Sequence, residues 1–407
     1  MNARHKSPSL ARVNRGNLCA GCGACAGITP ASIVMDEVPP GFLRPRQIAP
    51  MNPSEEMLVA DICPGLSQRI SADGRSDPVL WGPYVSMQTG WAQDNAIRHA
   101  GSSGAALTMI LIHLLETDQI TGVVQTAASP DLVIGNTTVL STDVAAIIAA
   151  AGSRYAPSAP LSELHRHLES GQRLAFVGKP CDVAALRALS IHDDRVAATF
   201  PVLLSFFCAG VPSHAGGQAV LAALGADLDH TASFRYRGNG WPGKATATLT
   251  SGKKHVMSYQ ESWGRILSKH VQHRCKICAD GTGTAADIVC ADAWESDEKG
   301  YPIFTEAEGI SLIVGRTELG DKHIKQAAAA GRIETASFDI DSLASIQPGQ
   351  RERRRALFAR LSALRLTGKP VPVYEGLQIS AAARQNTLRR NFKNFLGTIR
   401  RIVLRRH

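Results

Sequence analysis

The chain has 407 residues, 44% of them hydrophobic, and this length predicts two or three domains with buried cores. Polar residues interrupt every apolar run well before 18 positions, which excludes a transmembrane helix, and residues 1–17 lack the apolar core of a secretory signal. The net charge is +9, but residues 384–407 carry eight Arg or Lys and no acid, which leaves 9 − 8 = +1 for the rest. A protein built to bind nucleic acid is expected to carry its positive charge on the folded face, and the nearly neutral body of this chain does not fit that class. We expect a cytoplasmic protein whose nine cysteines are metal ligands or free thiols rather than disulfides.

Taken in chain order, residues 1–17 are predicted to be disordered and residues 18–66 to form a small, loop-rich unit held together by metal. The polar segment 67–80 is typical of a linker. From residue 81 helices and strands alternate, which predicts an α/β architecture. The expected helices lie at 105–116, 162–170, 183–189 and 215–224, and the expected strands at 122–127, 174–177 and 202–207. Residues 231–315 are rich in strand patterns, and 316–375 return to helix and strand.

The basic tail, residues 384–407, has apolar residues at helical spacing and is predicted to form an amphipathic helix. Three interpretations stay open. The helix could pack on its own protein with the basic face in water, attach at the inner face of an anionic membrane, or contact RNA.

The first motif that indicates chemistry is a cysteine triplet. Cys19, Cys22 and Cys25 follow C-x2-C-x2-C spacing, and Cys63 precedes a proline. Bacterial ferredoxins hold [4Fe–4S] clusters with this triplet and a Cys-Pro pair, and with no second local triplet Cys63 is the natural fourth ligand. Gly21 and Gly23 would let backbone N–H groups approach the sulfur atoms. Zinc is the alternative, although its usual pattern is two separate C-x2-C pairs.

The other cysteines are scattered. Cys275 and Cys278 form a C-x2-C pair in a polar loop, whereas Cys181 and Cys208 each follow an expected strand. The carboxyl ends of strands in an α/β sheet collect ligand sites, so these four could form a second site. Spacing alone also allows Cys181 and Cys208 to be buried core thiols, or a reactive thiolate at a helix start.

A Gly-Ser-Ser-Gly turn at residues 101–104 precedes the helix expected at 105–116. Such a turn can bind a phosphate at the helix N-terminus, or it can be an ordinary serine cap. Gly178 and Lys179 resemble a phosphate-binding loop only superficially, because Pro180 follows.

These motifs, in this order along residues 18–315, resemble the coenzyme F-420 hydrogenase/dehydrogenase beta-subunit family, which includes 7-hydroxymethyl chlorophyll a reductase. The resemblance is carried by the triplet, the 101–104 turn, Arg154-Tyr155, the segments 178–181, 207–213 and 234–243, the 275–278 pair and the segments 287–288 and 292–294.

The resemblance implies FAD and two [4Fe–4S] clusters. It assigns the inner cluster to Cys181, Cys208, Cys275 and Cys278, and it reserves no role for Cys290. The residues that it places at the flavin are Gly101, Ser102, Ser103, Gly104, Thr108, Arg154, Tyr155, Gly178, Lys179, Pro180, Asn239, Gly240 and Trp241.

The predicted fold is therefore α/β, with a ferredoxin-like [4Fe–4S] unit at 18–66, an FAD- and cluster-binding catalytic domain at 81–375 and a basic helix at 384–407. The predicted function is that of an iron–sulfur flavoprotein oxidoreductase. It would take electrons from ferredoxin or another redox protein and exchange a hydride with a small organic substrate. Two alternatives remain: an electron-transfer subunit of a larger complex without its own substrate chemistry, and a zinc-stabilised noncatalytic scaffold.

Overall fold

The computed structural model describes residues 6–294, 297, 303 and 305–404. The strands are β1 (Ile33–Val38), β2 (Phe42–Gln47), β3 (Ser67–Arg69), β4 (Ser86–Ala92), β5 (Gly122–Ala128), β6 (Asn136–Ser141), β7 (Leu174–Val177), β8 (Val202–Phe206), β9 (Thr231–Arg235), β10 (Lys244–Leu249), β11 (Lys254–Ser258), β12 (Ile288–Asp292), β13 (Ser311–Gly315), β14 (Ile333–Ser337) and β15 (Val373–Glu375).

The α-helices are α1 (Pro8–Gly16), α2 (Ala24–Ile28), α3 (Pro53–Ile62), α4 (Asn95–Gly101), α5 (Ala105–Glu116), α6 (Val144–Ala149), α7 (Leu164–Glu169), α8 (Pro180–Leu189), α9 (Asp194–Thr199), α10 (His214–Ala223), α11 (His273–Lys276), α12 (Glu318–Ala329), α13 (Leu343–Ile346), α14 (Pro348–Leu366), α15 (Ile379–Arg384) and α16 (Leu388–Val403). In the part of the chain that the structure describes, no helix is both long enough and apolar enough to cross a membrane.

The central sheet has eight strands in the order β14-β4-β13-β12-β8-β7-β5-β6. Strands β5, β7, β8 and β12 are parallel, whereas the outer strands pair antiparallel. The carboxyl ends of the four parallel strands therefore lie at one edge, where α/β proteins place their ligand sites. This edge holds the residues that follow β7, β8 and β12, and the sequence predicts this position for Cys181 after β7 and Cys208 after β8. The α/β fold class is confirmed.

Both faces of the sheet are covered, because alternate residues of each strand point to opposite sides. In β7, Leu174 and Phe176 belong to one core with α8, and Ala175 belongs to the other core with α5. Cys290 of β12 is 2% exposed in the α5 core. Burial alone raises the pKa of its thiol to about 12. Its position is that of a small core side chain.

The N-terminal unit packs against β15 and α14, which lie near the C-terminal end of the sequence. Strand β3 pairs in parallel with β15, and Leu18 and Leu66 share a core with Leu357 and Leu361 of α14. The predicted linker at 67–80 thus begins with a paired strand. A β1–β2 hairpin completes the unit, together with α1, α2 and α3.

The prediction of disorder over residues 1–17 is wrong for Pro8–Gly16, which form α1; residues 1–5 lie outside the described residues. The reasons are local: Ser7 caps the helix, its side chain accepting a hydrogen bond from the Leu10 N–H, and Pro8 stands at the first position. Leu10 and Val13 are buried against the unit, which the charged sequence around them obscured.

Candidate functional site

The first four cysteines line one small cavity, enclosed by α1, α2 and α3. Cys19 and Cys22 are buried, and Cys25 and Cys63 are partly buried. The loop that carries the triplet turns at Gly21 and Gly23, whose φ angles are +77° and +83°. A side chain at residue 23 would approach the Ser162 nitrogen to 2.8 Å, so glycine is required where the loop meets the main domain.

Burial raises the pKa of all four thiols in this cavity. Asp182 and the neighbouring thiols raise it further for Cys22, and the neighbouring thiols do so for Cys25 and Cys63. The pKa of Cys63 is raised to about 11. Four thiolates at this place therefore require a strongly cationic group between them, which is what an iron–sulfur or other metal centre provides. The donor set fits such a group.

The second group of cysteines assembles at the sheet edge. Cys181 lies in the first turn of α8 after β7, Cys208 follows β8, and Cys275 and Cys278 lie in and just after α11. Burial is the main reason why the pKa of Cys208 is raised to about 12, and Cys275 and Cys278 add to the effect. The pKa of Cys181 is raised by burial and then by Asp182, with smaller contributions from Cys208 and Cys275. Cys208 is therefore close to Cys181, Cys275 and Cys278, although these residues are far apart in the chain.

Helix α14 forms the outer wall of this second group. Gln350 and Arg353 both donate to the Cys208 carbonyl, at 3.1 and 2.6 Å, and Arg354 donates to the carbonyl of Ala279 beside Cys278. These contacts fix the backbone on either side of the thiols.

Two side chains of one turn join the cysteine groups. Gln272 donates to the Ala20 carbonyl at 3.2 Å and to the Cys275 sulfur at 3.4 Å. Arg274 is 2% exposed and donates to the Pro64 carbonyl at 2.7 Å, next to Cys63. The two groups are therefore neighbours.

The charge of Arg274 acts on both groups. Burial raises the pKa of Cys19 and Cys63, and the Arg274 charge offsets part of this rise; the second group in turn stabilises the guanidinium. Arg274 also donates to Gln68 at 3.2 Å and lies over the Tyr374 ring, 5.7 Å from its centre. Its Nε and Nη1 atoms are buried without a hydrogen-bond partner among the described residues.

Within the described residues, no three His, Cys, Asp or Glu side chains are arranged to hold a single metal ion. Zinc and an iron–sulfur cluster both stay interpretations of the two cysteine groups.

Three of the segments that the resemblance placed at a flavin converge beside β12. The Ser102 hydroxyl donates to the Gly240 carbonyl, and Arg235 joins the Ala100 and Ala151 carbonyls at 2.6 and 3.4 Å. The Thr108 hydroxyl donates to the Gly104 carbonyl at 3.3 Å. Gly104 itself is exposed, and a Cβ there would meet nothing within 4 Å, so its backbone is open to a ligand at the start of α5.

An ion pair holds this region together. Arg237 makes a two-point contact with Asp292 at the end of β12, at 2.9 and 2.6 Å. The Trp241 indole donates to the same carboxylate at 2.9 Å and stacks on Trp294, with ring centres 4.8 Å apart. Burial would raise the pKa of Asp292, but Arg237 more than offsets this, and the pKa is lowered. Asn239 adopts a left-handed conformation, φ +56°, in the turn before Gly240.

Arg154 and Tyr155 are engaged within the protein. Arg154 donates to Asn136 at 2.6 Å and to the Gly135 carbonyl at 2.8 Å. Tyr155 packs on Trp263, with ring centres 4.8 Å apart. They shape the wall of the region through these contacts.

The 178–180 segment faces the second cysteine group. Lys179 is 8% exposed, and its ammonium lies 2.8 Å from both Asp182 and the Ser158 hydroxyl. Burial lowers its pKa, but Asp182 and Cys181 act more strongly, so the pKa is raised. The Gly178 N–H donates to the Leu204 carbonyl, and Pro180 begins α8. Lys179 is thus a buried cation beside Cys181 rather than an exposed turn residue.

Sequence reasoning missed Gln272, Arg274 and the partnership of Arg237 with Asp292. Arg274 directly precedes Cys275, and Arg237 lies within the 234–243 motif. A cation next to a candidate cysteine ligand could have been singled out from the sequence. Its second contact, with Pro64, could not.

Two family models match the chain. The N-terminal model of the coenzyme F420 hydrogenase/dehydrogenase beta subunit matches residues 87–166, and the C-terminal model matches residues 171–341. The second cysteine group lies inside the matched part, whereas the first group and α14–α16 lie outside it.

Among curated proteins, the chain is 24% identical over 276 residues to the coenzyme F420 hydrogenase subunit beta of Methanococcus voltae, covering 66% of this chain and 88% of the relative. It is 22% identical over 278 residues to the same subunit of Methanothermobacter thermautotrophicus, covering 67% and 89%. A chain of the F420-reducing [NiFe] hydrogenase complex from Methanosarcina barkeri has the same fold, with a TM-score of 0.53 at 20% identity, over 70% of this chain and 96% of that one. The chain belongs to the coenzyme F420 hydrogenase/dehydrogenase beta-subunit family.

Proposed function

We propose that this chain is an oxidoreductase that transfers electrons between two [4Fe–4S] clusters and a bound FAD, and through FAD to a small organic molecule. The relatives are subunits of F420 hydrogenases, so an electron-transfer role is the part of this proposal with the widest support. Its finer parts rest on this chain's own side chains.

The observation that carries the proposal is the meeting of two four-cysteine groups. The eight thiols come from positions between residues 19 and 278, yet the Gln272 amide donates both to the Cys275 sulfur and to the Ala20 carbonyl, next to Cys19. Structural cysteines have no reason to gather in two adjacent sets of four, since free thiols pack well as isolated core residues, as Cys290 does. Adjacent clusters, by contrast, form a path for single electrons.

In this proposal Cys19, Cys22, Cys25 and Cys63 hold the outer cluster, and Cys181, Cys208, Cys275 and Cys278 hold the inner one. Arg274 and Lys179 supply buried positive charge beside the thiolates, which offsets the accumulation of negative charge. The Gly21 N–H lies 3.3 Å from the Cys19 sulfur, and such hydrogen bonds tune the potential of a cluster.

FAD would lie along the 101–104 turn, between Gly104 and the 239–241 segment. Three features support this position: the open backbone at Gly104, the convergence of the predicted segments, and the ion pair that holds Trp241 in place. The Lys179 ammonium, beside Cys181, donates to the Ser158 hydroxyl, three residues after Tyr155. When bound, FAD would combine two single electrons and a proton into a hydride for the substrate. The residues of the chain hold the groups, exclude water and fix their orientation.

Two observations favour a second candidate, an electron-transfer subunit without substrate chemistry of its own. The structural relative is part of a hydrogenase complex, and α16 presents an exposed apolar surface. Purified protein with its cofactors would then reduce no small molecule, F420 included, until a catalytic partner is added. Ferredoxin or another redox protein is the proposed electron donor in both cases.

The deciding measurement is a visible spectrum of anaerobically purified protein, with iron, sulfide and flavin assayed on the same sample. We expect about eight iron atoms, about eight sulfides and one FAD per chain, with both chromophores bleached by a low-potential reductant. A protein with zinc and without iron or flavin would overturn the proposal. Iron without flavin would favour the electron-transfer subunit. Contact of α16 with a membrane is a separate proposal, because it rests on exposure and charge and not on the cysteines.

A further inference from the structure

Helix α16 is attached to the protein by one side only. It packs on α14, its first turn is capped by the Thr387 hydroxyl, and Asn391 donates to the Ala383 carbonyl at 2.9 Å. Within α16 only Thr398 is fully buried. A 16-residue helix so placed leaves most of its surface to the surroundings.

The exposed surface of α16 carries a row of large apolar side chains. Leu388 is 87% exposed, Phe392 63%, Leu396 46% and Val403 70%. Spacings of four, four and seven residues place them on one face of the helix. Isolated apolar side chains on a surface are ordinary, but a continuous row along a helix marks a contact surface.

A second row, of basic residues, runs beside the apolar one. Arg389, Lys393 and Arg400 stand one turn or two turns apart along the same side of the helix, and all three are exposed. None of the three has an ion pair among the described residues, and the segment 384–404 contains no Asp or Glu. Arg390 pairs with Glu352 of α14 at 3.4 Å, on the attached side.

The apolar row and the basic row together indicate which kind of partner binds the exposed side of α16. A second copy of the chain would set identical basic rows against each other, which is repulsive. A nucleic acid would neutralise the basic row but leave the apolar row in water. A bilayer with anionic headgroups satisfies both, since the apolar row enters the headgroup boundary and the basic side chains reach the phosphates.

We propose that α16 lies flat on an anionic membrane surface, with Leu388, Phe392, Leu396 and Val403 inserted at the level of the headgroups. The attachment is peripheral, and it would place the α14 side of the protein, which walls the second cysteine group, near the membrane. This proposal is independent of the cofactors, because it uses neither cysteine group.

The test is flotation of the full chain with two kinds of vesicle, phosphatidylcholine alone and phosphatidylcholine mixed with phosphatidylglycerol. We expect the chain to float with the anionic vesicles and to stay in solution with the neutral ones. Removing three charges in the variant R389Q/K393Q/R400Q should weaken binding by about fivefold per charge, roughly a hundredfold in total. The apolar variant F392S/L396S should also lose binding, while its iron content, if the clusters are present, stays that of the wild type.

Matched controls exist elsewhere on the surface. The triple variant K244Q/K253Q/K254Q removes the same charge from exposed residues of the β10–β11 hairpin, and I191S removes a side chain that is 81% exposed and remote from α16 in sequence. Both should float like the wild type. The proposal is overturned if the wild type ignores anionic vesicles, if F392S/L396S binds as well as the wild type, or if the apolar row instead proves to hold a dimer that F392S/L396S dissociates.

Discussion

The two cysteine groups are built in opposite ways. The first comes from a short stretch, with three cysteines in seven residues and the fourth, Cys63, at the end of α3. The second is assembled by the sheet, which brings the ends of β7 and β8 to the α11 turn. The first can therefore be read from spacing, whereas the second depends on the fold being formed. The family models cover the second group and not the first.

The largest expected effect is on iron content, and it should distinguish the two cysteine groups. We expect Cys22→Ser to remove about four of eight iron atoms by loss of the outer cluster, and Cys278→Ser to remove about four by loss of the inner one. Because the first group is local, Cys22→Ser should leave flavin content unchanged. Iron, sulfide and flavin assays on each variant check this. Loss of all iron in either variant would show that the groups are not independent centres.

The next effect concerns the region beside β12. Asp292→Ala leaves the Arg237 guanidinium buried without its carboxylate, and we expect a loss of about 3 kcal/mol in the free energy of unfolding. Chemical denaturation followed by tryptophan fluorescence measures it, since Trp241 and Trp294 stack at this position. The double variant with Arg237→Met should be less destabilised than the sum of the single variants. Simple additivity would mean that the pair is not coupled.

Much of the central sheet around the second cysteine group was predictable, because local sequence patterns encode its helices and strands. The patterns place α5 at 105–116 and β7 at 174–177, with the bounds that the structure has, since continuous apolar runs of these lengths have few alternatives. The alternation of helices and strands also predicts that Cys181 and Cys208 lie at one sheet edge.

What the sequence could not show are the contacts between distant segments. The β3–β15 pair, the bond from Arg274 to the Pro64 carbonyl and the pairing of Lys179 with Ser158 each join residues 21 to 306 positions apart. The tail helix was predicted as amphipathic, but which part of its apolar face would meet α14 depends on tertiary packing. Such contacts follow from how elements pack, and no local pattern determines them.

Arg274 lies between the two cysteine groups, so replacing it tests whether the two proposed clusters are electrostatically coupled. Arg274→Gln removes a buried positive charge, and we expect the reduction potentials of both clusters to fall by on the order of 50–100 mV, for a charge at about 8 Å and an effective dielectric constant of about 20. Arg274→Lys keeps the charge and should restore most of the potential. Redox titration followed by electron paramagnetic resonance resolves the two centres. A shift in only one of them would place the charge with that group alone.

The smallest effect should come from Cys290, the ninth cysteine. Its replacement tests whether its position in the core excludes it from the eight proposed cluster ligands. Cys290 lies on β12 of the central sheet, next to β8, but its side chain points into the α5 core, away from the other thiols. Cys290→Ala removes a small buried group, and we expect a loss of about 1 kcal/mol in stability with unchanged iron, sulfide and flavin. Stability against urea and the iron content are measured on one preparation. Loss of iron in this variant would mean that burial in the core does not separate structural thiols from ligands, and the assignment of the second group would have to be revised.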